Sequence, residues 1–241
     1  MRESAKRKLP EMAISERASA DFSVFARVER ETLQDQVYLQ LRQALMAGRF
    51  QPGQAFTLRS VAEALGVSHM PVRSAMQRLG AEGALEAPPS GRTLIVPELR
   101  KANLQELRDI RVEIEGFAAQ RAADRVSGEE LIQIERRAHL MQAAAIVGDL
   151  DAYIQENWAF HTAVYRASHM DLLLGLIEGL WLRIGPYVRL MVPDRAAMIA
   201  SMPNHHEIYR ALRDRDGAGA RESIAADLLE SSHHLEAVLP Q

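Results

Sequence analysis

The sequence predicts a mainly α-helical chain, with an N-terminal winged helix-turn-helix bearing a small β-hairpin and a C-terminal all-helical antiparallel bundle. Three observations predict it. Two short amphipathic helical patterns, Leu58 to Leu65 and His69 to Leu79, flank a glycine turn at Gly66. Two short β-like segments then surround Pro88, Pro89, Ser90, Gly91 and Arg92. From about Lys101 onward apolar residues recur at helical spacing only, without strand-helix alternation or a glycine-rich phosphate loop.

The elements follow in order. Residues 1–28 show no sustained apolar period and are expected to form a disordered extension. A DNA-binding domain is expected over 29–98 and an effector-binding domain over 99–241. Leu33, Val37, Leu41, Ala44 and Leu45 predict a helix that stops at Gly48, and the turn from Arg49 to Gly53 follows it. Thr57 is placed to cap the next helix, whose stripe is Leu58, Val61, Ala62 and Leu65. Gly66 suits the left-handed turn, and Ser68 is placed to cap the helix behind it. Pro71 falls in that helix's first turn, where proline is tolerated, and Val72, Ala75, Met76 and Leu79 face inward. Ala84–Ala87 and Thr93–Val96 are expected to pair as a hairpin. Helices are then expected over 102–126, 128–148, 150–168, 170–190, 195–215 and 217–238.

Composition narrows the function. At 47% hydrophobic and 25% charged residues, the 241-residue chain is ordinary for a globular protein that builds its own core. The absence of cysteine excludes thiol catalysis, cysteine zinc sites and disulfides, and is compatible with a reducing compartment. No apolar run approaches the roughly 18 residues of a membrane span. The charged first residues have no apolar segment behind them, so no signal peptide is expected and the cytoplasm is the expected location. Residues 1–96 carry 13 Lys+Arg against 10 Asp+Glu, whereas residues 97–241 carry 16 against 22. A basic front and an acidic back fit nucleic-acid binding at one end.

The spacing of Ala62, Gly66 and Val72 suits a helix-turn-helix: a small residue for close contact, a glycine for the turn, and a valine packed between the helices. His69, Arg73 and Gln77 then lie at i, i+4 and i+8 on one face, away from the apolar stripe. A helix with one wall buried and donors on the other can enter the major groove, where arginine grips guanine with two hydrogen bonds. The helix start at Ser68 and His69 favours a phosphate. Arg92 either reaches a minor groove or phosphate or is a plain surface charge.

Val37-Tyr38-Leu39-Gln40-Leu41-Arg42, Gly48-Arg49-Phe50-Gln51-Pro52-Gly53, Gly66-Val67-Ser68-His69-Met70-Pro71-Val72-Arg73 and Leu79-Gly80-Ala81-Glu82-Gly83 closely resemble the GntR family of bacterial regulators over about residues 30–96. The resemblance implies that Arg59 and Arg73 contact DNA, along with His69, Met70 and Pro71, and that Gly91 is the glycine of the wing tip. His69 in place of a frequent arginine, and Pro88-Pro89 in the wing, depart from the pattern. Behind this, Leu107 to Glu115, Asn157 to His161 and His205 to Leu212 resemble, more loosely, the FCD effector domain of the family's FadR-like branch.

That second resemblance implies a divalent metal held by one Asp and three His. The positions fall on Asn157, His161, His205 and Asp227, so Asn replaces the first ligand and Asp the last. His205 rather than His206 is assigned by the following His-x-x-Ile-x-x-Ala-Leu pattern. Imidazole, carboxylate and amide oxygen suit zinc, nickel or manganese. Otherwise His161 is a hydrogen-bonded core histidine, His205 and His206 decorate a helix start, and Asp227 is a surface charge. His233 and His234 are expected at the surface.

Arg111, beside Leu107, Ile110 and Ile114, needs a partner. That partner is either Glu115 at i+4 or the carboxylate of an effector. Tyr153 and Trp181 either line the same cavity or are ordinary packing. The function expected is that of a ligand-responsive regulator, usually a repressor in this family. It would act as a homodimer on a double-stranded operator, with half-sites about one DNA turn apart, and answer to a small carboxylate such as an organic or sugar acid. A metal-dependent enzyme built on the bundle lacks an identifiable general base. A constitutive DNA binder would show no response to effectors.

Overall fold

A computed structural model describes residues 32–88 and 93–239. The extension expected over 1–28 and the wing residues Gly91 and Arg92 lie outside the described residues.

Helix α1 (Leu33–Met46) starts on a reciprocal cap, in which the Thr32 hydroxyl accepts from the Asp35 backbone and the Asp35 carboxylate from the Thr32 backbone. It buries Val37, Tyr38, Leu41 and Leu45. The helix-turn-helix is α2 (Leu58–Leu65) and α3 (His69–Ala81). Thr57 and Ser60 close the same kind of cap on α2, and Gly66 ends it at φ +64°, a conformation that costs a side-chain-bearing residue energy. Val72, Ala75, Met76 and Leu79 form the buried stripe of α3. Ser68 holds the capping position of α3, but its hydroxyl accepts no backbone N–H, contrary to expectation. Pro71 supplies the reason: it is the third helical residue, one of the two positions whose N–H a cap normally takes, and it has none to give.

The hairpin also needs correction. Strand β2 (Leu94–Ile95) pairs antiparallel with β1 (Ala55–Phe56), Ala55 opposite Ile95 and Phe56 opposite Leu94. The expected strand Ala84–Ala87 contributes only a bridge between Glu86 and Ile95. Pro88 cannot donate to a ladder, so that segment stops early. Residues 53–56 complete the sheet instead, with Gly53 N–H bonded to Val96 O at 2.9 Å and Val96 N–H to Gln54 O at 3.0 Å.

Behind it, α4 (Lys101–Arg125) runs antiparallel to α10 (Gly217–Val238): Arg108 meets Glu236, Glu113 meets Arg221, and Gly217 approaches Gln120. Helix α5 (Gly128–Val147) packs against α6 (Leu150–Arg166) and α9 (Arg195–Arg213), and α9 returns along α10 through Asn204 and Glu230. The helix expected over 170–190 is interrupted. Helix α7 (Asp171–Ile184) ends in a 3-10 turn, Gly185–Tyr187, before the single-turn α8 (Val188–Met191). Pro186 lacks the N–H a continuous helix needs and disfavours helical backbone in the residue before it. Gly185 has a second role: a β-carbon there would sit 2.5 Å from Leu45 O and 2.6 Å from Met46 O, so only glycine lets the α7–α8 joint touch the end of α1. The Tyr187 hydroxyl ties the connecting segment to the bundle, accepting from Leu99 N–H at 2.5 Å and donating to Pro97 O at 3.1 Å.

Candidate nucleic-acid interface and metal cavity

The outer face of α3 carries Ser68, His69, Met70, Arg73 and Gln77, all exposed, with Met70 at 67%. Among the described residues His69, Arg73 and Gln77 make no side-chain hydrogen bond or ion pair, so their donors are free. Arg59, on α2, is exposed and bonded to Glu63 at 2.8 Å; a surface pair of this kind holds it weakly and would yield to a phosphate. Pro71 does not belong to this face. It is buried, since with Ala75 and Leu79 it continues the inward stripe at i, i+4 and i+8. The other end of α3 is anchored to α1: Glu82 accepts from the Tyr38 hydroxyl at 2.6 Å, and the Arg78 guanidinium lies 3.6 Å from the Tyr38 ring centre.

In the bundle, Arg111, Tyr153, Asn157, His161, Trp181, His205 and Asp227 line one cavity, together with Val188, Met191 and Val192 from α8 and its exit. Residues 153, 157 and 161 are successive i+4 positions on α6; α9 supplies His205, and α10 supplies Asp227. All four residues of the expected ligand set are buried. His161 Nε2 lies 3.5 Å from Asp227 Oδ2, and His205 Nε2 lies 3.0 Å from Asn157 Oδ1. Ligand atoms of His161, His205 and Asp227 fall within 4.8 Å of one another, so modest closure would bring them to the roughly 4.4 Å or less that two bonds of about 2.0–2.2 Å to one ion span.

The proton positions follow from the partners. Tyr165 donates its hydroxyl to Glu115 Oε2 at 2.5 Å, so its oxygen accepts from His161 Nδ1–H at 3.1 Å. That leaves the Nε2 lone pair of His161 turned toward Asp227. His205 Nδ1 is 2.9 Å from the Ser201 carbonyl, which can only accept, so Nδ1 carries the proton and Nε2 again offers a lone pair. That lone pair meets Asn157 Oδ1, also an acceptor. With His205 neutral, this pair of acceptors at 3.0 Å is satisfied by a cation or by turning the carboxamide to donate; a second proton on His205, beside Asp227 at 3.8 Å, would satisfy it as well. The donor set thus fits a metal ion, and each histidine has the hydrogen-bonded outer nitrogen typical of a ligand. Burial, reinforced by the Arg111 charge, holds the His161 pKa well below its usual value, so the ring is neutral and able to ligate. Burial raises Asp227 above the ordinary carboxylate range, which a cation would reverse.

Both partners considered for Arg111 bear on its placement. Glu115 takes Nε at 2.6 Å and Nη2 at 3.2 Å, while the side chain still lines the cavity, with Nη1 unbonded among the described residues. Tyr153 and Trp181 face the same space. Tyr153 lies 2.5 Å from the Ser201 hydroxyl, and Trp181 Nε1 donates to Glu115 at 3.2 Å. Sequence reasoning missed Glu115 as the centre of a network that gathers Arg111, Tyr165 and Trp181 on one fully buried carboxylate. It also missed Tyr165 as the support of His161, although the i+4 spacing from His161 was a usable signal. His206 points away from the set as a half-buried neighbour, and His233 and His234 are exposed.

An exposed recognition helix in a helix-turn-helix, followed by an all-helical body with a buried polar cavity, is the architecture of a two-domain DNA-binding regulator. Residues 33–95 match the family model of bacterial regulatory proteins, gntR family, and residues 106–230 match the FCD domain. The chain belongs to the GntR family and carries an FCD domain. It is 32% identical over 192 residues to the HTH-type transcriptional regulator McbR of Escherichia coli (strain K12), covering 79% of this chain and 86% of that protein. The solved structure of E. coli McbR/YncC superposes with a TM-score of 0.77 at 31% identity, over 83% of this chain and 95% of that one. The HTH-type transcriptional repressor RspR, from the same strain, is 25% identical over 209 residues, 86% of this chain and 91% of that protein. These relatives are named transcription regulators, not enzymes, which sets aside the metalloenzyme reading.

Proposed function

We propose that this regulator is a homodimeric, cytoplasmic repressor whose grip on its operator is set by a small organic or sugar acid in the bundle cavity. His69, Arg73 and Gln77 read bases, Met70 packs against them, and Ser68, Arg59 and the wing residues Gly91 and Arg92 hold the backbone. Pro71 shapes the helix start. His161, His205, Asp227 and Asn157 hold zinc, nickel or manganese, and the ion supplies a cationic centre for a carboxylate. The free edge of Arg111 offers the acid a second handle, with Tyr153 and Trp181 as walls. The name of RspR supports repression. The observation that carries the sensing half is the meeting of the His205 and Asn157 acceptors inside a buried cavity.

The cavity measures about 50 Å³, well below the roughly 300 Å³ at which small-molecule sites begin, so it suits an ion with a few waters, and an organic acid would require rearrangement. Part of its wall is α8, whose joint with α7 at Gly185 presses on the end of α1. Widening the cavity therefore pushes on the DNA-binding domain. For a switch, the effector must bind the two domain orientations with different affinity, by about 5.5 kcal/mol for a complete one.

The test has two stages. Selection of binding sites from a random duplex pool should yield a two-fold symmetric sequence. A panel of organic and sugar acids is then titrated against the protein–operator complex with zinc, nickel or manganese present, and again with excess EDTA. At least one acid should weaken operator binding about tenfold or more, and EDTA should abolish its effect. Operator affinity indifferent to every acid and every metal would leave a constitutive DNA binder.

A further inference from the structure

Helix α6 carries polar residues on two adjacent faces. One, through Tyr153, Asn157 and His161, faces the bundle cavity. The other, through Gln155, Trp158, Thr162 and Arg166, faces a separate cleft between the bundle and α1. This cleft is about 470 Å³, within the roughly 300–1,000 Å³ of small-molecule sites and far larger than the bundle cavity. Its charged lining is three arginines, Arg42, Arg49 and Arg166, against one carboxylate, Glu178.

Hydrogen bonding in the cleft is incomplete. Arg42 reaches Glu178 through Nη1 at 2.6 Å, but its buried Nε has no hydrogen-bond partner, and Glu82 Oε2 stands off at 3.5 Å. The Thr162 hydroxyl is shut off from solvent without a partner. Arg49 spends one nitrogen on neutral Gln155, at 2.7 Å. Arg166 makes no hydrogen bond or ion pair among the described residues. Buried polar atoms are rarely left unpaired, and these are the two orphaned side-chain atoms among the described residues; both belong to residues that line this cleft, where a small side-chain rotation would offer them to a ligand. A basic cleft with unsatisfied donors calls for an oxyanion.

We propose that this cleft is a second small-molecule site, for a compact anion presenting a carboxylate or phosphate group to Arg42, Arg166 and Thr162. It is distinct from the bundle cavity and needs no metal. Its ligand touches α1 and α6 at once, so it binds one arrangement of DNA-binding and sensor domains more tightly than others. The two sites share a wall: Trp158 lines the cleft, Trp181 lines the bundle cavity, and their rings meet at 4.8 Å. They are the two tryptophans of the sequence, so tryptophan fluorescence, excited selectively over the five tyrosines, reports on this wall.

The experiment is a fluorescence titration of the full chain with sodium succinate and, separately, inorganic phosphate, at constant ionic strength against a chloride control, with and without EDTA. Isothermal calorimetry provides the second readout. A saturable change with at least one anion is expected, and which anion gives it identifies the headgroup. Thr162→Val and Arg166→Ala should each weaken it about tenfold or more. Thr162→Val should melt no lower than the parent, because it removes a hydroxyl that bonds to nothing. The change should persist in EDTA and in Asp227→Asn, which alters only the bundle cavity. The proposal is overturned by no saturable response to either anion, by undiminished affinity in both cleft variants, or by loss of the response in EDTA or Asp227→Asn, which would assign it to the bundle cavity.

Discussion

Replacing Glu115 with leucine isolates the network at the centre of the bundle. The carboxylate is fully buried and receives Arg111 through two nitrogens, the Tyr165 hydroxyl and the Trp181 ring nitrogen. Leucine leaves the Arg111 guanidinium, itself only 4% exposed, without its counter-charge. Removing one partner of a buried pair costs about 3–5 kcal/mol, and each orphaned donor adds about 1–3 kcal/mol, not additively. In a chain of this size each kcal/mol moves the melting point by about 2–4 °C, so the drop should be at least about 6 °C. The double variant Arg111→Met/Glu115→Leu removes the stranded charge and should recover most of the loss, leaving about 1–3 kcal/mol for the Tyr165 and Trp181 donors. Urea unfolding followed by tryptophan fluorescence reads both variants, since both indoles lie in the bundle. A single variant within about 1 kcal/mol of the parent, or a double variant worse than the single, would refute the reasoning.

Three other outcomes are expected. Tyr165→Phe removes the acceptor that orients His161, so zinc affinity by calorimetry should fall about 10–100-fold; unchanged affinity would mean that His161 is not a ligand. Arg73→Ala, whose side chain makes no hydrogen bond or ion pair among the described residues, should melt like the parent but lose about 1–3 kcal/mol of operator affinity in a gel shift, with relaxed discrimination at one base pair; undiminished selectivity would exclude base readout by Arg73. Gly185→Ala places a methyl against the Leu45 and Met46 carbonyls, so the α7–α8 joint must move off α1, at about 1–3 kcal/mol by chemical denaturation; a neutral variant would show that this contact gives way freely.

What the sequence made legible was local. Thr57 ahead of α2 and Gly66 after it mark that helix's ends from single residues, and the ends fall there. The same local chemistry misled at Ser68, because Pro71 removes the N–H a cap would take. The break at Gly185–Pro186 carried a local signal, the proline, that helical periodicity on both sides obscured. The sheet was harder. Whether Leu94–Ile95 pairs with a segment ten residues back or forty is a tertiary choice, decided partly by Pro88. The bundle cavity was legible only through resemblance, since its members come from helices far apart in sequence. Trp181 lies 66 positions from the Glu115 it bonds, and Tyr165 lies 50. No periodicity encodes such a meeting.

The bundle cavity gathers two histidines, an asparagine, an aspartate and an Arg–Glu pair where an apolar core would serve stability at least as well. Desolvating these groups opposes folding, and their mutual bonds return only part of that cost. The network also points outward from the carboxylate: Glu115 fixes Tyr165, Tyr165 fixes His161, and His161 turns its lone pair into the cavity rather than into another protein donor. A purely structural cluster would close its hydrogen bonds on itself. This one brings His161 Nε2, the Asp227 carboxylate and the His205–Asn157 pair together around one space, a set of groups able to hold a cation. The Arg111→Met/Glu115→Leu protein separates the two roles. If the polar interior serves sensing, that variant should fold with only the residual loss of about 1–3 kcal/mol and still bind zinc less tightly, because Tyr165 no longer has the carboxylate that orients it. Equal zinc affinity would make the network structural alone.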